Sequence, residues 1–340
     1  MPRWLFPAGA VIARLLQALL LAQLLIVLGL WYGASRLWHI AQPGPARSDV
    51  ALLGALGMLL LARAAITLNN FRLSRRGGAP VPPRHRLRPA QACRMVLEEF
   101  CSTMLVSSWS MLRPGPATHI DPRAVGLPVL LVHGYACNAA FWSPWCARLT
   151  RARISHSAVT LEPVAAAIDD YAPQIEAAVR ELRVASGSDK VVIVCHSMGG
   201  LVARAWLRQY GAAQVARIVT LAAPHHGTAR ASVGLGRGAR QMRRVDGAAG
   251  ADGNQWLSSL AATETAAERA LITSLFSHHD NIVEPQLSAY LPGARNIALA
   301  GLGHVAMGRS RRSLGRALDE IALASAEAGG EAGARRHPGR

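Results

Sequence analysis

The chain has 340 residues, is 51% hydrophobic and carries a formal charge of +17; that length allows one full-sized core with an appendage. Its basic balance is almost all arginine, Lys190 being the only lysine, spread along the chain with only 5% aromatic residues, which argues against a nucleic-acid partner with its basic stripe and stacking platform. Five cysteines (Cys93, Cys101, Cys137, Cys146 and Cys195) keep neither a disulfide-framework nor a metal-ligand spacing, so reduced thiols are expected, with no metal or other cofactor.

The apolar excess gathers at the N-terminal end. Residues 15–31, LLQALLLAQLLIVLGLW, are interrupted only by Gln17 and Gln23, and residues 50–61, VALLGALGMLLL, continue past Arg63 to about residue 68. Each run approaches the ~20 residues of a bilayer crossing, and neither has a polar face at helical spacing. The first run exceeds the ~7–15 residues of a signal-peptide core and a second follows at once. A membrane hairpin is therefore expected over residues 1–76, with helices at about 12–34 and 49–68. The turn between the runs carries Arg36 and Arg47, whereas Arg72, Arg75, Arg76, Arg84, Arg86 and Arg88 follow the second. Positive charge stays on the cytoplasmic side, which puts both ends of the hairpin there.

Residues 77–125 form a joining region. GGAPVPPRHRLRPA (77–90) reads as a linker because Gly and Pro interrupt helix. Residues 91–112 read as an amphipathic helix that fits either the membrane surface or the flank of the next domain. From 126 to 328 short apolar runs alternate with helical patterns. Strands are expected at 128–134, 157–163, 190–196, 216–224, 270–277 and 294–301, with helices at 171–184, 199–210 and 313–326. Such alternation predicts a mainly parallel sheet covered on both faces. Residues 329–340 read as a disordered tail.

The sharpest chemical signal is Cys195-His196-Ser197-Met198-Gly199-Gly200, between an apolar strand and a helix. A serine on such a turn lifts its hydroxyl above the sheet, and the next amide, at a helix start, faces developing negative charge. The usual pattern is G-x-S-x-G; here Cys195 stands at its first position. Serine needs a base and an orienting acid, and in this architecture the acid precedes the histidine in the chain. Asp280, after the 270–277 strand, and His304, after the 294–301 strand, satisfy that order; Glu284 is a rival acid, and His278 and His279 are rival bases. Tyr135, in the loop after the 128–134 strand, and Met198 are the expected amide donors to an oxyanion. His133 and His196 read as structural hydrogen-bonding residues.

The segments VLLVHGYACN, VIVCHSMGGLVAR, LAAPHHGT, HDNIVEP and GARNIALAGLGHVAMG resemble the bacterial triacylglycerol lipases and esterases of the α/β-hydrolase superfamily, particularly the small Bacillus-type lipases, over residues 126–325. The resemblance implies an α/β-hydrolase fold, a Ser197–Asp280–His304 triad, and an oxyanion hole at Tyr135 and Met198. It further implies cofactor-free cleavage of lipid or hydrophobic acyl esters through an acyl-serine. Such lipases are typically secreted, whereas the hairpin here points to a multi-pass protein of the bacterial inner membrane with a cytoplasmic catalytic domain. Residues 225–257, rich in glycine, are either a lid or a surface loop. An acyltransferase or thioesterase on the same fold, and a non-catalytic membrane protein with a degenerate hydrolase domain, are the competing readings.

Overall fold

The computed structural model describes residues 10–41, 48–113, 115–244 and 254–336. It opens with two long helices, α1 (Ala10–Ala41) and α2 (Ser48–Arg76), each long and apolar enough to cross a membrane. Their side chains are largely uncovered; Leu25 is 60% and Leu61 70% exposed, unlike the core helices of a soluble domain. Both helices outrun their apolar segments. Arg72, Arg75 and Arg76 lie within α2 rather than after it, because an apolar run measures what fits hydrocarbon and not where a helix must stop.

Helix α3 (Pro89–Ser108) runs back beside α2. Arg63 of α2 is the pin: it donates to Gln23 of α1, to Ser108 Oγ at 2.8 Å and to Met104 Sδ at 3.0 Å on α3. Two of the polar intrusions in the apolar runs, Gln23 and Arg63, thus satisfy one another, and Gln17 donates to the Leu112 carbonyl at 3.2 Å, as groups removed from water must find partners. The other face of α3 packs on the sheet-bearing domain, so it belongs to both halves of the molecule.

Six parallel strands follow in the spatial order β2-β1-β3-β4-β5-β6. They are β1 (Val129–Val132), β2 (His156–Val159), β3 (Val191–His196), β4 (Val215–Leu221), β5 (Ile272–Phe276) and β6 (Arg295–Ala298), each overlapping its expected segment. In β1 and β3 every residue is buried, as in a parallel sheet covered on both sides. The period of two divides them cleanly. Leu130, Val132, Ile193 and Cys195 face one cluster, and Val129, Leu131, Val192 and Val194 the other.

The first cluster is closed by α5 (Ala172–Ser186) and α6 (Met198–Tyr210), the second by α4 (Ser143–Arg151) and α11 (Arg311–Arg336). Between β4 and β5 lie α7 (Gly236–Met242), α8 (Gln255–Thr263) and α9 (Ala266–Ala270), and one turn of helix, α10 (His304–Met307), follows β6. Helix α11 continues to Arg336, ten residues past its expected end and into the stretch read as a tail; residues 337–340 lie outside the described residues. So do residues 245–253 of the glycine-rich stretch.

One buried charge pair ties these layers together. Arg204 of α6, with its side chain 0% exposed, donates to both carboxylate oxygens of Glu264 at 2.5 and 2.8 Å and to the His225 carbonyl at 3.0 Å. Removing one partner strands the other's charge in the core. Glu264→Ala is expected to lower stability by about 3–5 kcal/mol, read as a shift in the urea-unfolding midpoint of the detergent-solubilised protein.

Candidate active site

Ser197 connects β3 to α6 with φ 53° and ψ −126°, a left-handed conformation that a non-glycine residue adopts only under constraint. The constraint is the packing around it. A Cβ on Gly199 would lie 2.6 Å from the Val132 carbonyl oxygen and 2.7 Å from that of His133, and one on Gly200 would lie 2.5 Å from Ala223 Cβ. The glycines therefore let α6 start directly against the ends of β1 and β4. Cys195, where the usual pattern has glycine, turns into the apolar cluster and is fully buried; burial pushes its thiol far above the ordinary range. A small side chain fits there, which explains how the motif tolerates the exchange.

Three of the expected site residues meet at this turn. Ser197 Oγ lies 3.0 Å from His304 Nε2, and His304 Nδ1 lies 2.9 Å from Asp280 Oδ2. Asp280 Oδ1 in turn accepts the Ile282 and Val283 amides, each at 2.8 Å. With Nδ1–H donating to Asp280, the Nε2 lone pair is left to accept a hydrogen bond from the Ser197 hydroxyl. Burial alone would depress the His304 imidazole, but the Asp280 charge and hydrogen bond, with Glu99 adding to them, carry it above the usual histidine value.

The rivals are engaged elsewhere. Glu284 pairs with Arg230 at 3.0 Å, His279 Nδ1 accepts the Gly301 amide at 3.2 Å, and His278 makes a tilted ring contact with His85.

The backbone of His304 is held as firmly as its ring. Its N–H donates to Asn281 Oδ1 at 2.8 Å, and its carbonyl accepts from His196 Nε2 at 2.9 Å. His196 stacks on Phe141, and burial drives it down to about 3, so it is a neutral donor.

His133 has a similar post. The Leu161 amide donates to its Nε2 at 3.0 Å, which leaves Nδ1–H to donate to the Gly134 carbonyl at 2.8 Å; burial lowers this imidazole to about 4. With that carbonyl fixed, the trans peptide turns the Tyr135 N–H the opposite way. Gly134 itself presses on Ser197, since a Cβ there would sit 2.9 Å from Ser197 Cβ. The phenol of Tyr135 donates to the Leu235 carbonyl at 2.7 Å and accepts its amide at 2.9 Å, clasping the glycine-rich stretch over this loop.

Sequence reasoning missed three residues that reach this site. Asn281 holds the His304 amide. Gln286 bridges the Asp280 and Ser74 carbonyls, each at 3.1 Å, and so links α2 to the acid loop. Glu99 of α3 accepts the two amides after His304; a carboxylate on the buried stripe of Met95, Glu99, Ser102 and Val106 was the available signal. Among the described residues, no cluster of three or more His, Cys, Asp or Glu is placed to hold a metal ion.

A family model described as PGAP1-like alpha/beta domain matches residues 164–234, the span that contains β3, Ser197, α6 and β4. Among solved structures, the chain is similar to a Bacillus licheniformis lipase in its mature form, at 18% identity and a TM-score of 0.51, over 62% of this chain and 99% of that one. The propeptide form of that lipase gives 18% identity and a TM-score of 0.50, over 62% of this chain and 52% of that one. At such identity the likeness is one of fold: an α/β-hydrolase-like parallel sheet with helices on both faces.

Because the atoms that a Gly199 side chain would strike are backbone carbonyls, they cannot swing aside. Gly199→Ala is expected to cost about 1–3 kcal/mol and to depress serine reactivity together with stability, checked by thermal unfolding and by labelling with a fluorophosphonate.

Proposed function

We propose that this chain is a serine ester hydrolase anchored in the bacterial inner membrane, cleaving lipid or hydrophobic acyl esters. The observation that carries the reading is the continuous run of hydrogen bonds from Ser197 through His304 to Asp280, on a fold shared with a known lipase. In the first half-reaction His304 Nε2 takes the Ser197 proton as Oγ bonds to the ester carbonyl carbon. The carbonyl oxygen becomes an oxyanion facing the amides of Tyr135 and Met198, the latter at the start of the thirteen-residue helix α6, where the helix dipole adds to the hydrogen bond. Collapse breaks the bond to the alcohol, which leaves with the proton from His304. Water then repeats the sequence on the acyl-serine, releasing the acid and restoring Ser197. Asp280 keeps its charge and steadies the imidazolium.

An apolar acyl group suits the surroundings. Val233 and Leu235, 84% and 79% exposed, stand on the stretch clasped by Tyr135. The uncovered faces of α1 and α2 favour a hairpin in lipid, and Arg72, Arg75, Arg76, Arg84, Arg86 and Arg88 favour a cytoplasmic catalytic domain. A complete hydrogen-bonded triad counts against a degenerate, non-catalytic role.

Ser197→Ala is expected to remove fluorophosphonate labelling and to lower p-nitrophenyl ester turnover by about 10⁴-fold or more, while the unfolding transition is retained; unchanged turnover overturns the reading. The pH profile supplies a second check. His304 works as a base only when neutral, and its pKa is raised above the ordinary 6.5. Activity should therefore be full at higher pH and fall as pH drops through that raised value, so the acid limb of kcat/KM lies above 6.5 rather than below it.

A further inference from the structure

Helix α3 precedes the sheet-bearing domain and sends one carboxylate into it. Glu99 is 1% exposed, and a buried carboxylate costs several kcal/mol unless its oxygens find donors. Among the described residues those donors are not arginine or lysine. They are two consecutive amides: Val305 N–H to Oε1 at 3.1 Å and Ala306 N–H to Oε2 at 2.8 Å. Gly303, on the other side of His304, lies flat against the same group, and a Cβ there would come within 2.6 Å of Oε2. Glu99 thus contacts the chain immediately before and immediately after the triad histidine.

We propose that Glu99 is a positioning residue for His304: by holding residues 303–306 against α3, it keeps the imidazole in line between Asp280 and Ser197, so that the site is completed by the segment that joins it to the membrane hairpin. This rests on the ester-hydrolase reading. Without Glu99 the His304 backbone keeps its bonds to Asn281 and His196, but the turn that follows loses both of its acceptors and can tilt about those bonds. Misplacement on the order of 1 Å lowers turnover by about 10²-fold.

The charge contributes as well. Burial, with Asp280 adding to it, holds the Glu99 carboxyl above the usual carboxylate range against the lowering pull of the Ala306 and Val305 amides and of His304; the two amide N–H donors, one to each oxygen, favour its ionised form. The groups facing His304 are Asp280 from the loop after β5, Glu99 from α3, and the neutral His196 from β3. The negative charge on Glu99 favours the imidazolium.

The test uses the full chain in detergent or vesicles. In Glu99→Gln the size is kept, but one acceptor oxygen is replaced by an N–H donor that confronts an amide N–H. We expect kcat on a p-nitrophenyl ester to fall roughly 10–100-fold with KM little changed, and the acid limb of kcat/KM to move to lower pH because the charge favouring the imidazolium is gone. Gly303→Ala attacks the same contact from the other side at φ −81°, a backbone open to alanine, and should give the same loss of kcat. A folded variant of either kind with wild-type kcat overturns the proposal, as does a Glu99→Gln acid limb that stays in place. Histidine NMR titration, with His304 assigned by its absence in His304→Gln, reads the same downward shift without substrate. The broader reading fails separately: there, the wild-type protein takes no fluorophosphonate label.

Discussion

Between β3 and α6 the chain reverses on Ser197, and the reversal works only because α6 begins within van der Waals reach of two neighbouring strand ends. Gly199 lies against the carbonyls of β1 and its loop, and Gly200 against the chain after β4. That contact sets three things at once. It holds Ser197 in a backbone conformation costing on the order of 1–3 kcal/mol, it aims the start of α6 at the space above the serine, and it brings the Gly134–Tyr135 peptide beside Ser197. A slacker junction would relax the serine and move the amides away from it.

The second half of the site is an arrangement for one proton. His133, His196 and His279 are driven down to about 4, 3 and 4 by burial, so they donate and accept hydrogen bonds as neutral rings. His304 is buried too, yet Asp280 reverses the direction of its shift. Desolvation and a facing charge are therefore set against each other at one imidazole, whereas at His133 and His196 burial outweighs the backbone hydrogen bonds that oppose it.

Much of this was legible in the sequence where the signal is local. The β3–Ser197–α6 junction shows itself through an apolar strand, two glycines and a helical face, and chain order together with placement after a strand pointed to Asp280 and His304, with Glu284 left as a rival acid. What escaped depends on distant pairing. Glu99 and Asn281 look like ordinary polar residues until the fold brings residue 99 to residue 305 and residue 281 to residue 304. Boundaries escaped for a different reason. The apolar runs end before α1 and α2 do, because a helix continues through polar residues that an apolar run does not count. Gly329 and Gly330, read as the start of a tail, are carried within α11; each costs a helix only about 1 kcal/mol relative to alanine, and the alanine-rich flanks favour helix.

The position of α3 has a bearing on what counts as a module in this chain. By topology the sheet and its helices look separable from the anchor, with a natural cut near residue 126. Such a fragment would contain Ser197, Asp280 and His304 in full. It would also present Gly303, Val305 and Ala306 to water where Glu99 now covers them, and leave Gln286 without the Ser74 carbonyl. The unit that evolution could graft onto another anchor, or an engineer onto a soluble carrier, therefore begins with α3 and the end of α2, not with the first strand.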